Sequence, residues 1–556
     1  MPNLPRAAAA LALLAVTTAL MAPAALEGSP VGHDSRLHLV WVREFADSLA
    51  AGIAYPRWLP DVNAGLGNPT FVFYPPLVYY LAAPFVWLTG SAPRALDVVA
   101  ALACLVSAAA AYRYLRGGLP RGAALVGALA LVALPYRLLD YYERAAIAEY
   151  VAFVWPPLAL LAIRRLARVK SWREAGPPAA ALAVCTAGLA LTHLPTLVVW
   201  GPLLAAAVVW ADGRPGGVAR GWIALGLGLA LAGVFLVPAY AERPLVQLEW
   251  LDWVAKPENH TLFARGMPHE SQMIAFNHKV SRLVCWTAAL AGVAALAALW
   301  PGGGRPWRTD GARLPVAAAA LVAAAVFVLM TGASRSLWTV LPVLPAIQFP
   351  WRLAVVLTPL AALLVACATA RTFAPGASWP ARVLGAGAAA LLAANVAVGV
   401  RDVVAKAFLD PVWAARIADN VGSAQDAAEY RPRAAPATGF PRLPRALVTP
   451  GGRIAVRAWD PERRVIELET GEPARLRVAT FHYAGWRATV DGRAWPIETG
   501  EYGTMTLDLP AGRHVVELRF GSTWDRTAGA ATSGIALALT GGWFVWGLAG
   551  RRRREK

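Results

Sequence analysis

Two side chains able to move a proton stand close together near the start of the chain. In VGHDSRLHLVWVREF, Asp34 and His38 are four residues apart, so a helix would put them on one face. A carboxylate at a membrane surface can act as general base on a hydroxyl. The plainer alternative is a solvated loop acid. A second group lies in PYRLLDYYERAAIAEYVAFVWPP, where Arg137, Asp140, Glu143, Arg144 and Glu149 fall within thirteen residues. Glu149 sits about one turn inside an apolar run, and an ionisable group at that depth faces a cavity or a partner. Arg144 is the candidate partner, with a structural ion pair between two helices as the alternative. Asp140 and Glu143 read as ordinary interface charges. His193, in LTHLPT, lies at the end of another run as a structural histidine or a ligand. Arg352, in IQFPWRLAVV, either snorkels to headgroups or holds a lipid phosphate. Tyr55 and Trp58, in YPRW, read by default as interfacial anchors. Acids, arginines and histidines at one common depth point to a site for a substrate with an anionic lipid head.

The elements that must position these residues are apolar. Of 556 residues, 57% are hydrophobic and 15% charged. A soluble chain carries about 25% charged residues, so a polytopic membrane protein is indicated and disorder is excluded. Runs near 7–27, 96–112, 122–135, 146–163, 178–193, 196–211, 219–240, 281–300, 314–333, 350–370, 382–400 and 529–549 approach bilayer-crossing length. The net charge of +18 reports topology rather than nucleic-acid binding. Loops 113–121, 164–174, 212–220, 301–313, 371–382 and the tail 551–556 hold 20 Lys/Arg against 4 Asp/Glu, the mark of cytoplasmic loops. The run 71–90, rich in aromatics and proline, is expected to lie at the outer interface, because a crossing there would invert the loop charges. The first run is expected to be a retained span. The four cysteines all fall in apolar runs, where no metal cluster or exported disulfide is expected.

This parity predicts about twelve transmembrane helices with both ends cytoplasmic. A membrane domain over 1–402 would carry external loops 28–95, 136–146 and 241–280. A linker over 403–447 would lead to a β-sandwich over 448–528, then a last helix over 529–549 and a basic tail over 550–556. The sandwich is read from period-two runs such as RVIELET and TMTLDL, and from Asp491-Gly492 as a tight hairpin turn. Walker, GxSxG, HExxH and Asp-x-Asp motifs are absent, so nucleotide chemistry on the basic side loses support.

The stretches HDSRLHLVWVREFADSLAAGIAYPRWLPDVNAGLGNPTFVFYPPLVYYL, PYRLLDYYERAAIAEY, LTHLPT, LPAIQFPWR, AAEYRP (427–432) and FHYAGWRATVDG resemble a bacterial family, the 6-pyruvoyl-tetrahydropterin-synthase-related membrane proteins. Nothing here resembles a pterin enzyme. The family is similar to the GT-C superfamily of glycosyltransferases, so the resemblance implies a GT-C-like membrane fold with an extracytoplasmic C-terminal domain. It also implies inverting transfer of a sugar from a polyprenyl phosphate to an envelope glycan, lipid or protein, on the outer face of the bacterial inner membrane. Asp34 matches the catalytic acid position, and Tyr74–Leu77 match a Pro-Pro-Leu segment of the donor cavity. Relatives place a basic residue where Tyr74 stands, so the phosphate ligand must come from elsewhere. The lack of an Asp-x-Asp pair leaves a divalent metal unsupported and no cofactor expected. The expected site is Asp34 and Glu149 as catalytic groups, with His38, Tyr55, Arg57, Tyr74, Arg144, His193 and Arg352 binding substrate. A flippase of lipid-linked sugars and a non-catalytic envelope-assembly protein are the alternatives.

Overall fold

Long apolar helices form because alanine, leucine and valine runs leave backbone hydrogen bonds nowhere to go in lipid except within the segment. The computed structural model describes residues 5–254, 256–265, 271–301, 313–436 and 439–552. Most of the expected basic loop 301–313 and of the tail 550–556 lies outside the described residues. Among the described residues ten helices are long and apolar enough to cross a membrane. Two bent pairs, Pro215–Leu231 with Gly233–Ala241 (67°) and Pro315–Met330 with Gly332–Val340 (83°), bring the number to twelve if each is one span. The protein is a polytopic α-helical membrane protein with ten to twelve candidate spans among the described residues, against the expected twelve. Small residues let the helices approach closely. A Cβ on Gly228 would stand 2.6 Å from the Ala183 carbonyl oxygen, so those two helices meet backbone to backbone.

The chain over 71–90 does not form one long helix. A turn at Thr70–Phe73 gives way to an extended Tyr74 and then a 13-residue helix, Leu77–Thr89. That helix is too short for a bilayer crossing of about 20 residues. It packs between the amphipathic helix Ser35–Ala50 and the span Ala92–Leu115.

Before the last helix the chain forms two packed antiparallel sheets. One has the order β1-β4-β8-β7 (446–449, 474–481, 504–509, 498–499) and the other β2-β3-β9-β5-β6 (453–460, 463–470, 512–520, 486–490, 493–495). Alternation drives this: in β3, Arg464, Ile466, Leu468 and Thr470 point inward while their neighbours are more exposed. Asp491 and Gly492 both take positive φ (52° and 80°), closing the β5–β6 hairpin as the sequence predicts.

The sandwich core also takes in Trp58, Leu66, Val72 and Phe73 from the stretch before the helix Leu77–Thr89, so the two parts share one apolar cluster. A buried ion pair locks the same seam. Arg526, at the start of the last helix, grips Glu242 through Nε (2.7 Å) and Nη2 (2.9 Å), and Tyr483 donates to the same carboxylate at 2.6 Å.

Candidate functional site

The charged residues of the second cluster sit where helices stop. Pro135–Tyr142 ends at Glu143, Ala145 adopts a positive φ of 53°, and a short helix restarts at Ile147–Ala152. The turn brings Asp140, Arg144 and Glu149 together, all essentially without solvent exposure. Arg144 Nη1 donates to Glu149 Oε2 at 2.9 Å and also to Asp140. Tyr136 donates to Glu149 Oε1 at 2.6 Å. Asp140 is thus no ordinary interface charge, as its spacing alone had suggested; it is the second anion around Arg144. Arg352 enters from the start of the span Pro350–Thr372, with Nε 3.4 Å from Glu149 Oε2. Trp351 beside it lies under the Arg144 guanidinium at 4.7 Å.

The chain just before the helix Ser35–Ala50 runs alongside this turn. His33 N donates to Glu143 O (3.2 Å) and Asp34 N to Arg144 O (2.9 Å). The approach requires glycine at 32, because a Cβ there would stand 2.4 Å from the Glu143 carbonyl oxygen. Asp34 then starts the helix Ser35–Ala50 with its half-buried carboxylate accepting no hydrogen bond among the described residues. One turn on, the His38 Nδ1 shares a 2.7 Å hydrogen bond with the Tyr79 hydroxyl. Burial lowers the His38 pKa to about 4, against the pull of Asp34, so the ring is neutral at ordinary pH.

Tyr74 links the two halves. Burial raises its pKa, and the charges acting on its hydroxyl come from Asp34, Arg352 and Glu149 together. His193, at the break between spans Trp172–Thr192 and Leu194–Asp212, bonds Thr196 through Nδ1 at 2.8 Å. Its ring feels Glu149, Arg352, Arg144 and His38. The structure therefore brings Asp34, His38, Tyr74, Arg144, Glu149, His193 and Arg352 to one end of the bundle. Basic loops meet at the other end, where Arg220 donates to the carbonyls of Val169 and Lys170.

Tyr55 and Arg57 are not part of this group. The Arg57 guanidinium lies 3.9 Å above the Tyr55 ring and donates to Val234 O at 3.1 Å, facing the seam with the last helix.

Three residues that the sequence reading did not single out, Asp426, Glu429 and Tyr430, join the site from the linker. Asp426 accepts from Trp41 Nε1 (2.7 Å), Asn68 Nδ2 (2.7 Å) and the Thr70 hydroxyl, which fastens the 426–432 segment to the helix Ser35–Ala50 and the stretch that follows it. Tyr430 then stacks on Phe73 (5.8 Å) and meets Tyr74 edge-on (6.5 Å). Burial pushes the half-buried Glu429 carboxyl up to about 7; its own backbone amide opposes this, and Asp426 and Asp34 reinforce it. The only sequence signal for this segment was the AAEYRP stretch itself.

The cluster is electrostatically unfinished. Arg144 uses only Nη1 among the described residues. Arg352 uses Nη1, to Ile347 O and Gln348, while its Nη2 has no described partner. Open guanidinium donors beside a free carboxylate can hold an anion next to a proton acceptor. Among the described residues no three His, Cys, Asp or Glu side chains are grouped to hold a metal ion.

A family model described as "6-pyruvoyl-tetrahydropterin synthase related domain; membrane protein" matches residues 71–407. No curated protein matches the chain. Among solved structures, arabinofuranosyltransferase AftD from Mycobacteria, determined by single-particle cryo-EM, is similar at 20% identity and a TM-score of 0.45. That match covers 75% of this chain but only 27% of AftD.

Proposed function

The chain belongs to the 6-pyruvoyl-tetrahydropterin synthase related family of membrane proteins, and from that premise we propose that it is an inverting glycosyltransferase using a polyprenyl-phosphate sugar on the extracytoplasmic face. The observation that carries this reading is the Asp34 carboxylate, which accepts no hydrogen bond among the described residues, on a main chain registered against Arg144, while Arg144 and Arg352 meet at Glu149 with unused donors.

In the proposed reaction Asp34 takes the proton of an acceptor hydroxyl. The hydroxyl oxygen forms a bond to the anomeric carbon as the bond from that carbon to the lipid phosphate breaks. The leaving phosphate is already an anion, so charge stabilisation matters more than protonation. Arg352 and Arg144 supply it from fixed positions in a poorly solvated site. Glu149 holds both arginines in place, and neutral His38 and Tyr74 orient the sugar. Glu429 accepts the proton from Asp34 after transfer and releases it to solvent. The acceptor is an envelope glycan, lipid or protein.

The direct test is sugar transfer by the purified protein in lipid nanodiscs, using synthetic short-chain polyprenyl-phosphate sugars. Asp34→Asn should lower turnover by about 10²–10⁴-fold, the usual worth of a general base, without changing thermal unfolding. Full turnover in that variant would remove Asp34 from the base role. A flippase of lipid-linked sugars draws some support from the two bent spans, since transporters use broken helices near mid-membrane. The ionisable cluster, however, sits at one end of the bundle. Movement of intact lipid-linked sugar across a vesicle membrane, without new glycosidic bonds, would favour the flippase.

A further inference from the structure

A second polar cleft lies apart from this site, where the membrane domain meets the sandwich. It has a volume of about 720 Å³, within the range of small-ligand sites, roughly 300–1,000 Å³. The helix Ser35–Ala50 contributes Glu44, the following loop Asp61, the linker Asp419, Arg442 and Arg445, and the sandwich Trp459. Three structural units thus converge on a space that none of the roles assigned above uses.

Glu44 is the informative residue. It is only 3% exposed. Its Oε2 accepts from the Asp61 amide at 3.3 Å, while Oε1 is buried with no hydrogen-bond partner. An unsatisfied buried carboxyl oxygen is costly, and here it belongs to a side chain lining the cleft. Burial, with Asp61 beside it, raises the Glu44 pKa well above the usual range, which favours the protonated form, able to donate as well as accept.

The remaining charges cancel. Arg43 and Asp47 pair with each other at 2.9 Å. Asp61 and Asp419 then face Arg442 and Arg445, leaving no net sign to select an anion or a cation. The ligand that suits a balanced set of forked donors and acceptors beside one aromatic wall is uncharged and dense in hydroxyls. Glu44 lies ten residues along the helix from Asp34, about 15 Å, so one sugar ring cannot occupy both places.

We propose that this cleft binds a neutral oligosaccharide chain, several sugars away from the hydroxyl presented at Asp34. Calling that chain the acceptor rests on the transferase reading; its binding in the cleft does not.

The test is binding of the purified full chain in nanodiscs to arrayed neutral and anionic glycans and control peptides, followed by titration of the best neutral series. Affinity should rise with chain length. Glu44→Gln and the exposed Arg442→Ala should each weaken binding at least tenfold, whereas Asp34→Asn should bind undiminished while losing transfer. The two substitutions keep the proposal testable should one of them disturb folding. Binding to no neutral glycan, preference for anionic glycans or peptides, or affinity unchanged by both cleft variants would overturn it. Transfer lost in Asp34→Asn with cleft variants fully active and fully binding would sink the cleft alone; glycan binding without any transfer would sink the transferase reading alone.

Discussion

Two of the buried arginine–carboxylate clusters among the described residues, one at the rim and one at the seam with the last helix, are finished to different degrees. At the seam with the last helix, both oxygens of Glu242 are taken, by Arg526 and Tyr483, and Arg526 spends its other donors on the carbonyls of Gly521 and Ala484. At the rim, Arg144 and Arg352 keep unused donors among the described residues and Asp34 accepts nothing. Burial and ion pairing are common to both, so neither marks function. What differs is the surplus: a closed set holds two parts of a chain together, and an open set has capacity for a ligand.

Breaking each cluster should therefore give opposite signatures. The largest effect on folding is expected for Arg526→Gln, which strands Glu242 in the seam. Loss of one partner of a buried pair costs about 3–5 kcal/mol, read as an earlier unfolding transition in detergent or nanodiscs. Transfer per folded molecule should change little. Arg352→Gln should do the reverse and lower turnover by about 10²-fold, the worth of one preorganised charge or donor. Its unfolding shift should be smaller than that of Arg526→Gln, because Glu149 retains Arg144 and Tyr136. Equal loss of turnover in both variants would erase the distinction.

The smallest expected effect concerns pH. The Glu429 carboxyl is raised to about 7, so it is protonated below that pH and ionised above it. As the proton acceptor after Asp34, it should make transfer rise through about pH 7. Glu429→Gln should remove that limb while leaving activity above it reduced. The same raised pKa means that ionisation is disfavoured in the folded state, so stability should fall as pH rises from about 4.5 towards about 7 and level off beyond. A limb that persists in Glu429→Gln would assign it to another group.

The sequence made most of the architecture legible, because lipid imposes one rule on every span and strands alternate with period two. The rim cluster was partly legible. Asp34, Arg144, Glu149, His193 and Arg352 stand out because each is polar at the end of an apolar run. Asp140 did not, since a carboxylate four residues before an arginine in a polar loop looks like a surface pair; the turn at Ala145 is what buries it. Glu429 was hidden in a linker rich in charge and proline, where neither periodicity nor hydropathy distinguishes a residue folded back over the site. Tyr55 and Arg57 show the converse error source. Aromatic and basic side chains near a membrane surface are expected in both anchoring and binding, and only the seam with the last helix separates the two roles.

The contact at Gly32 has a consequence for how this protein could change. Asp34 is registered against Arg144 by peptide groups, not by side chains. The ruler that spaces acid from cation is thus indifferent to substitutions at Tyr74, His38 or His193, and selectivity can be redrawn there without recalibrating it. A methyl group at position 32 would do the opposite, prying the two main chains apart while leaving every reactive side chain in the sequence.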